Sequence, residues 1–124
     1  MPAVEVIFFQ EAGSKTPPII EWLDRLPEKA RLKCFVRLTR LQDLGHELRR
    51  PEADYLRDGI YELRASYQGV HYRMLCFFYR RSAVVLTHGI VKEREVPGDE
   101  IDRAIRAKDA FVRDPSTHTF KLVR

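Results

Sequence analysis

The hydrophobic positions of this chain begin with a period of two and change to a helical period within twenty residues. Val4, Val6 and Phe8 alternate with Glu5, Ile7 and Phe9, which predicts a short strand apolar enough to lie in a covered sheet. Ser14 or Thr16 followed by Pro17 and Pro18 signals a helix start, because proline suits the first turn, where its missing N–H has no intrahelical partner to lose. Ile19, Trp22, Leu23 and Leu26 then recur at three- and four-residue steps. Pro27 ends that helix and opens another. Its stripe of Ala30, Cys34, Leu38 and Leu41, with Phe35 and Leu44, runs to Gly45, a residue suited to a left-handed cap. With almost nothing between them, the two helices should form an antiparallel hairpin over the first strand.

Gly45 to Asp58 contains Pro51 and no sustained period, and is expected to be an extended connection. Strand-like runs rich in Tyr, Leu, Val, Ile and Phe follow from Gly59 to Ser66, His71 to Tyr79 and Ala83 to Val91. The polar turns between them, Tyr67-Gln68-Gly69 and Arg80-Arg81-Ser82, imply an antiparallel meander. Pro97, with Asp99 and Glu100 in the first turn and then Ile101, Ala104 and Ile105, marks a last helix reaching about Phe111. Residues 114–124 are expected to be a tail with a final extended piece at Phe120 to Val123. The fold class is therefore α+β: an N-terminal strand and helical hairpin packed on an antiparallel sheet, followed by a C-terminal helix.

Composition narrows this picture. A length of 124 residues fits one domain spanning 1–124. No apolar run approaches the roughly 18–20 residues of a membrane span, and the N-terminus lacks the layout of a secretion signal, so a cytoplasmic protein with no membrane partner is expected. Cys34 and Cys76 lie in apolar stretches, match no metal-ligand spacing, and are expected to be buried thiols. The net charge of +4 is unevenly spread. Residues 25–50 carry eight bases, including Lys33, Arg37 and Arg40, against three acids. Such a helix is either a solvated face or a surface for a polyanion, whose phosphates it would neutralise with release of counterions.

Arginines inside strands are the first chemical anomaly, because β positions usually hold branched or aromatic side chains. If the hairpin register sets Arg64 beside Arg73, two guanidinium groups face one another, which makes sense mainly with an anion between them; a slip of one residue would separate them. Lys92 and Arg94 follow the last strand directly, interleaved with Glu93 and Glu95. His46, His71, His88 and His118 show no zinc-ligand spacing, no carboxylate cluster offers a magnesium site, and neither a phosphate-binding loop nor a nucleophile elbow is present. No metal and no cofactor are expected.

The blocks Leu56-Arg57-Asp58-Gly59-Ile60-Tyr61-Glu62-Leu63-Arg64, Tyr72-Arg73-Met74 and Val84-Val85-Leu86-Thr87-His88-Gly89-Ile90-Val91-Lys92, followed by Pro97 and the helix around Ala104, resemble the RelE/ParE superfamily of toxins. Within it, the HigB-like, phage-derived branch is the nearest in pattern. The resemblance implies a microbial-ribonuclease-like fold with a twisted sheet. It also implies a type II toxin held in check by a small helix-turn-helix antitoxin, in a toxin–antitoxin hetero-oligomer or a weak homodimer.

In the HigB and RelE branches the toxin cleaves messenger RNA on the ribosome without a metal. RNA supplies its own nucleophile, the 2′-hydroxyl, so the protein needs only to align the phosphate, stabilise developing charge and assist proton transfer. The resemblance matches Arg64 and Arg73 to positions that contact the scissile phosphate, and Lys92 and Arg94 to a basic cluster at the end of the last strand. His88 is a further catalytic candidate as a strand histidine, and His71, together with Lys33, Arg37 and Arg40 of the basic helix, is a candidate for RNA binding. His71 and His118 are further candidates for moving the proton, since arginine stays protonated at neutral pH. Some residues depart from the family pattern. RelE-type members carry lysines where this chain has Ile60 and Glu62, the Lys-Lys pair of the HigB-like branch is Lys92-Glu93, and no tyrosine opens the last helix. Two other readings stay open: a ParE-like toxin that binds DNA gyrase and cuts nothing, and a prophage-derived binding module with neither activity.

Overall fold

A computed structural model describes residues 3–49, 51–91 and 94–121. The chain runs through β1 (Glu5–Phe9), α1 (Pro18–Asp24), α2 (Glu28–Leu44), a 3-10 turn at Gly45–Glu47, β2 (Ala53–Arg57), β3 (Ile60–Tyr67), β4 (Val70–Tyr79), β5 (Ala83–Val91), α3 (Gly98–Arg113), α4 (Pro115–His118) and β6 (Thr119–Phe120). The six strands form one sheet in the order β2-β3-β4-β5-β1-β6, antiparallel everywhere except between β5 and β1. This is the α+β architecture expected from the sequence. No helix is long and apolar enough to cross a membrane among the described residues.

Both faces of the sheet are covered, which is why its central strands read as nearly continuous apolar runs. On one face Leu63, Met74, Cys76, Val84 and Leu86 pack with Ile19, Trp22 and Leu23 of α1 and Ala30, Cys34, Leu38 and Leu41 of α2. On the other, Ile60, Leu75, Phe77, Val85 and Ile90 pack with Ile101, Ala104, Ala107 and Phe111 of α3. Both cysteines are buried and free, as expected, and burial pushes each thiol up to about 12.

Several details differ from the sequence reading. The helical hairpin does not centre on the first strand: α1 packs chiefly on β5 and α2 on β3. The start of α1 is capped by Pro17 rather than by the side chain of Ser14 or Thr16. The expected connection before Asp58 contains the edge strand β2, closed onto β3 by Asp58-Gly59, whose φ values of +52° and +82° are those of the two-residue turn that suits strand twist. In the C-terminal segment, the extended piece begins at Thr119, and residues 122–124 lie outside the described residues. His118, a candidate proton carrier, is a structural pin. Its ring stacks on Phe9 at 5.1 Å and its Nδ1–H donates to the Gln10 carbonyl at 2.7 Å, tying the segment to β1.

Two features of β5 set the geometry of everything near it. Cys76 pairs with Leu86 while Leu75 pairs with His88, so Thr87 is an extra residue in β5, held by a hydroxyl hydrogen bond to the Leu75 carbonyl at 3.3 Å. The bulge turns His88 towards α3 and Gly89 towards Trp22. A Cβ on Gly89 would stand 2.2 Å from Trp22 Cδ2, so only glycine lets α1 seat its indole on the sheet. Gly89→Ala is accordingly expected to lower stability by about 1–3 kcal/mol through overpacking. Denaturant unfolding would register this as a lower midpoint, and an unchanged midpoint would mean that Trp22 does not occupy that position.

Candidate functional site

The β3/β4 register places Arg64 directly opposite Arg73, the side-by-side alternative of the two open from sequence. Period two sends both side chains, with Glu62 two residues before Arg64, to the face that α3 covers. The anion between the guanidinium groups is internal. Arg73 Nη1 donates to both Glu62 carboxylate oxygens, at 2.8 Å each, and Arg64 Nη2 donates to Glu62 Oε1. Glu62 is only 2% exposed and Arg73 only 6%, so both sit in the wall of the sheet. The Arg64 side chain keeps 29% of its surface, and its Nε is buried with no hydrogen-bond partner among the described residues. Arg73 is therefore a buried partner of Glu62 in the sheet wall rather than an open phosphate contact, whereas Arg64, bonded to the same carboxylate, is part-exposed.

These residues open into a cleft of about 510 Å³ between the sheet and the approach to α3, lined also by Asp54, Arg57, Arg94, Glu95 and Ile101. Arg94 thus lies in one cleft with Arg64 and Arg73, although the internal carboxylate of Glu62 engages both strand arginines. Lys92, the remaining member of that set, lies outside the described residues. Arg57 braces one wall, donating to Asp102 of α3 at 2.7 Å and to Asp58 at 3.0 Å. His71 sits one step along the same face, since Ser66 and His71 pair next to Arg64 and Arg73. The Ser66 hydroxyl and His71 Nδ1 are 2.7 Å apart, which fixes the ring and leaves Nε2 outside that bond.

Other sequence candidates are placed elsewhere. His88 does not line the cleft; it is 2% exposed beneath α3. Its Nε2 lies 3.2 Å from Glu100 Oε1 and its Nδ1 3.1 Å from the Thr87 hydroxyl. Because a carboxylate only accepts, Nε2 carries the proton of the neutral ring. Burial, aided by the nearby Arg103 charge, holds this histidine down at about 4. It is a packing group, and the catalytic assignment made from its sequence block is corrected.

Arg37 and Arg40 belong to α2, on the opposite face of the sheet, and both are engaged by Glu52: Arg37 through Nη1 and Arg40 through Nε and, at 2.9 Å, Nη2. The Arg40 hydrogen bond, with burial opposing and the Arg37 charge assisting, holds the Glu52 carboxyl below the usual range. Arg37 Nε also donates to the Arg64 carbonyl at 2.8 Å. These two arginines clamp α2 to β3 and the entry to β2; they do not extend the cationic cleft. Lys33 is exposed on the same helix, away from it.

Sequence reasoning missed Glu62 as a member of the site. The signal was the Glu62-Leu63-Arg64 spacing, which puts carboxylate and guanidinium on one strand face, but its meaning depended on the β4 register. Among the described residues, no group of His, Cys, Asp or Glu side chains converges as metal ligands.

A model of the family of phage-derived Gp49-like proteins matches residues 21–109, from α1 through most of α3. No curated protein matches the chain. The matched segment contains Glu62, Arg64, Arg73 and Arg94.

The buried state of His88 has a consequence for stability against pH. Its folded value lies below the ordinary 6.5, so between about 6.5 and about 4 the unfolded chain binds the extra proton. Stability is full above that window and falls as pH drops through it, by up to about 3 kcal/mol. His88→Gln is expected to flatten the decline in urea titrations from pH 7 to pH 4. An identical slope in the variant would contradict the neutral, buried assignment.

Proposed function

Because the chain belongs to the Gp49-like phage-derived family, within the RelE/HigB-like toxin superfamily, we propose that it is the toxin of a type II toxin–antitoxin pair and acts as a metal-independent, ribosome-dependent messenger RNA endoribonuclease. The observation that supports this most is Arg64, opposite Arg73 in the sheet and part-exposed, lining one cleft with Arg94. In this reading a scissile phosphate enters the cleft and accepts from Arg64 and Arg94, while Arg73 and Glu62 hold Arg64 in place from behind. The RNA 2′-hydroxyl attacks the adjacent phosphorus and the 5′-oxygen leaves, giving a cyclic phosphate. Charge accumulating on the phosphoryl oxygens is met by guanidinium donors fixed beforehand, so little reorganisation accompanies the step. Proton transfer would fall to His71, which lies one step from Arg64 and Arg73 on the same strand face and is less buried than His88. The antitoxin, a helix-turn-helix protein, would act by covering this cleft, and the site of action would be cytoplasmic.

A second reading has one observation in its favour. Glu62 stands where RelE-type members carry lysine, and it neutralises part of the cationic pair, as a non-cleaving, gyrase-binding or prophage-derived module would tolerate. One substitution separates the readings. Arg64→Ala leaves the Glu62–Arg73 bonds in place, and it is expected to slow cleavage of message on programmed ribosomes by about 10²–10³-fold, the effect of losing one transition-state donor. Primer extension would show the loss. Undiminished cuts would overturn the assignment, and toxicity with altered DNA supercoiling and intact RNA would favour the gyrase reading.

A further inference from the structure

On the α2 face of the sheet, a cavity of about 660 Å³ opens beside β2, within the size range of small-molecule sites. Its floor is apolar, formed by Leu41, Leu48, Leu63 and Cys76. Its aromatic wall is a chain of rings. His46 stacks on Phe78 with centroids 3.9 Å apart, Tyr61 meets Phe78 edge-on at 5.3 Å, and Tyr55 meets Tyr61 edge-on at 5.0 Å. Tyr55 is unusual among them. It is 53% exposed, yet its hydroxyl accepts the Gly59 N–H at 3.2 Å, so an exposed ring is anchored at both ends. A fixed, solvent-facing ring is a stacking platform with little ordering entropy left to lose.

The cavity also adjoins the arginine cleft. Asp54, Tyr55 and Glu62 line both, so the two spaces meet around the edge strand β2. From this juxtaposition we propose that the aromatic cavity is a nucleobase subsite, taking the base that flanks the phosphate gripped by Arg64 and Arg94. The proposal rests on the RNA reading above and adds a residue set to it: Tyr55 as the stacking ring, with Tyr61, Phe78 and His46 behind it. Stacking is indifferent to base identity because every base has a π face, so the subsite contributes affinity and alignment more than sequence choice.

Two measurements test it separately from the nuclease reading. In the first, the full chain is titrated by NMR with adenosine 5′-monophosphate and, in parallel, with inorganic phosphate. The nucleotide is expected to shift ring resonances of His46, Tyr55, Tyr61 and Phe78, whereas phosphate alone should leave them in place. Shifts confined to the arginines with both probes would overturn the subsite.

In the second, cleavage on programmed ribosomes is compared for Tyr55→Ala and Tyr55→Phe. Removing the ring is expected to lower kcat/KM by about tenfold, within the 5- to 150-fold that one stacked base represents, and the phenylalanine variant should retain most of it. If Tyr55→Ala cuts like the wild type while Arg64→Ala does not, the subsite falls and the nuclease stands. If the wild type cuts nothing, the nuclease reading falls and the nucleotide titration decides the subsite by itself.

Discussion

Two guanidinium groups held side by side on neighbouring strands repel one another, and burial of one of them makes the repulsion costly. Arg64 and Arg73 occupy such positions because Glu62, on the same strand face, bonds to both. Without that carboxylate the buried Arg73 would lack its bidentate counter-ion. The interaction also distinguishes the arginines: Arg73 is buried in the sheet wall, and Arg64, bonded to the same carboxylate, keeps 29% of its side-chain surface and lines the cleft.

The surrounding fold serves that arrangement. Helix α3 covers Leu75, Phe77 and Val85, while Arg64 and Arg94 line a cleft on the same side, so apolar burial and a polar cleft coexist on one side of the sheet. Arg57 ties the edge strand to α3, while Arg37 and Arg40 tie α2 to the same corner from the other side through Glu52. The cleft is thus fixed by ion pairs on both layers, and the edge strand between them carries Tyr55 on the rim shared with the aromatic cavity.

Much of this architecture was legible in the sequence, and the exceptions have physical causes. Helices α1, α2 and α3 and strands β3 to β5 announce themselves by sharp periodicity and by Pro and Gly at their ends. Strand β2 did not, because Ala53 to Arg57 forms an edge with mixed polarity, and only Asp58-Gly59 betrayed its hairpin. The parallel β1/β5 pairing joins residues far apart in the chain, which no local pattern encodes. At the site, alternation found the arginines but not their partner, because the role of Glu62 appears only when the register is known. His88 shares the face of Arg73, but α3 packs over it, and that burial depends on a helix docking that no local pattern encodes. Arg37 and Arg40 were candidates for RNA contact because their acceptor, Glu52, lies beyond the helix in an irregular stretch and its pairing with them is not encoded locally.

The most direct test of the central interaction is the unfolding free energy of Glu62→Gln, measured by denaturant titration beside Arg73→Met and the double variant. If Glu62 is what holds the guanidinium pair, the single variant should lose about 3–5 kcal/mol, and the double variant should recover a large part of that loss. A Glu62→Gln protein as stable as the wild type, with no coupling to Arg73, would contradict the account.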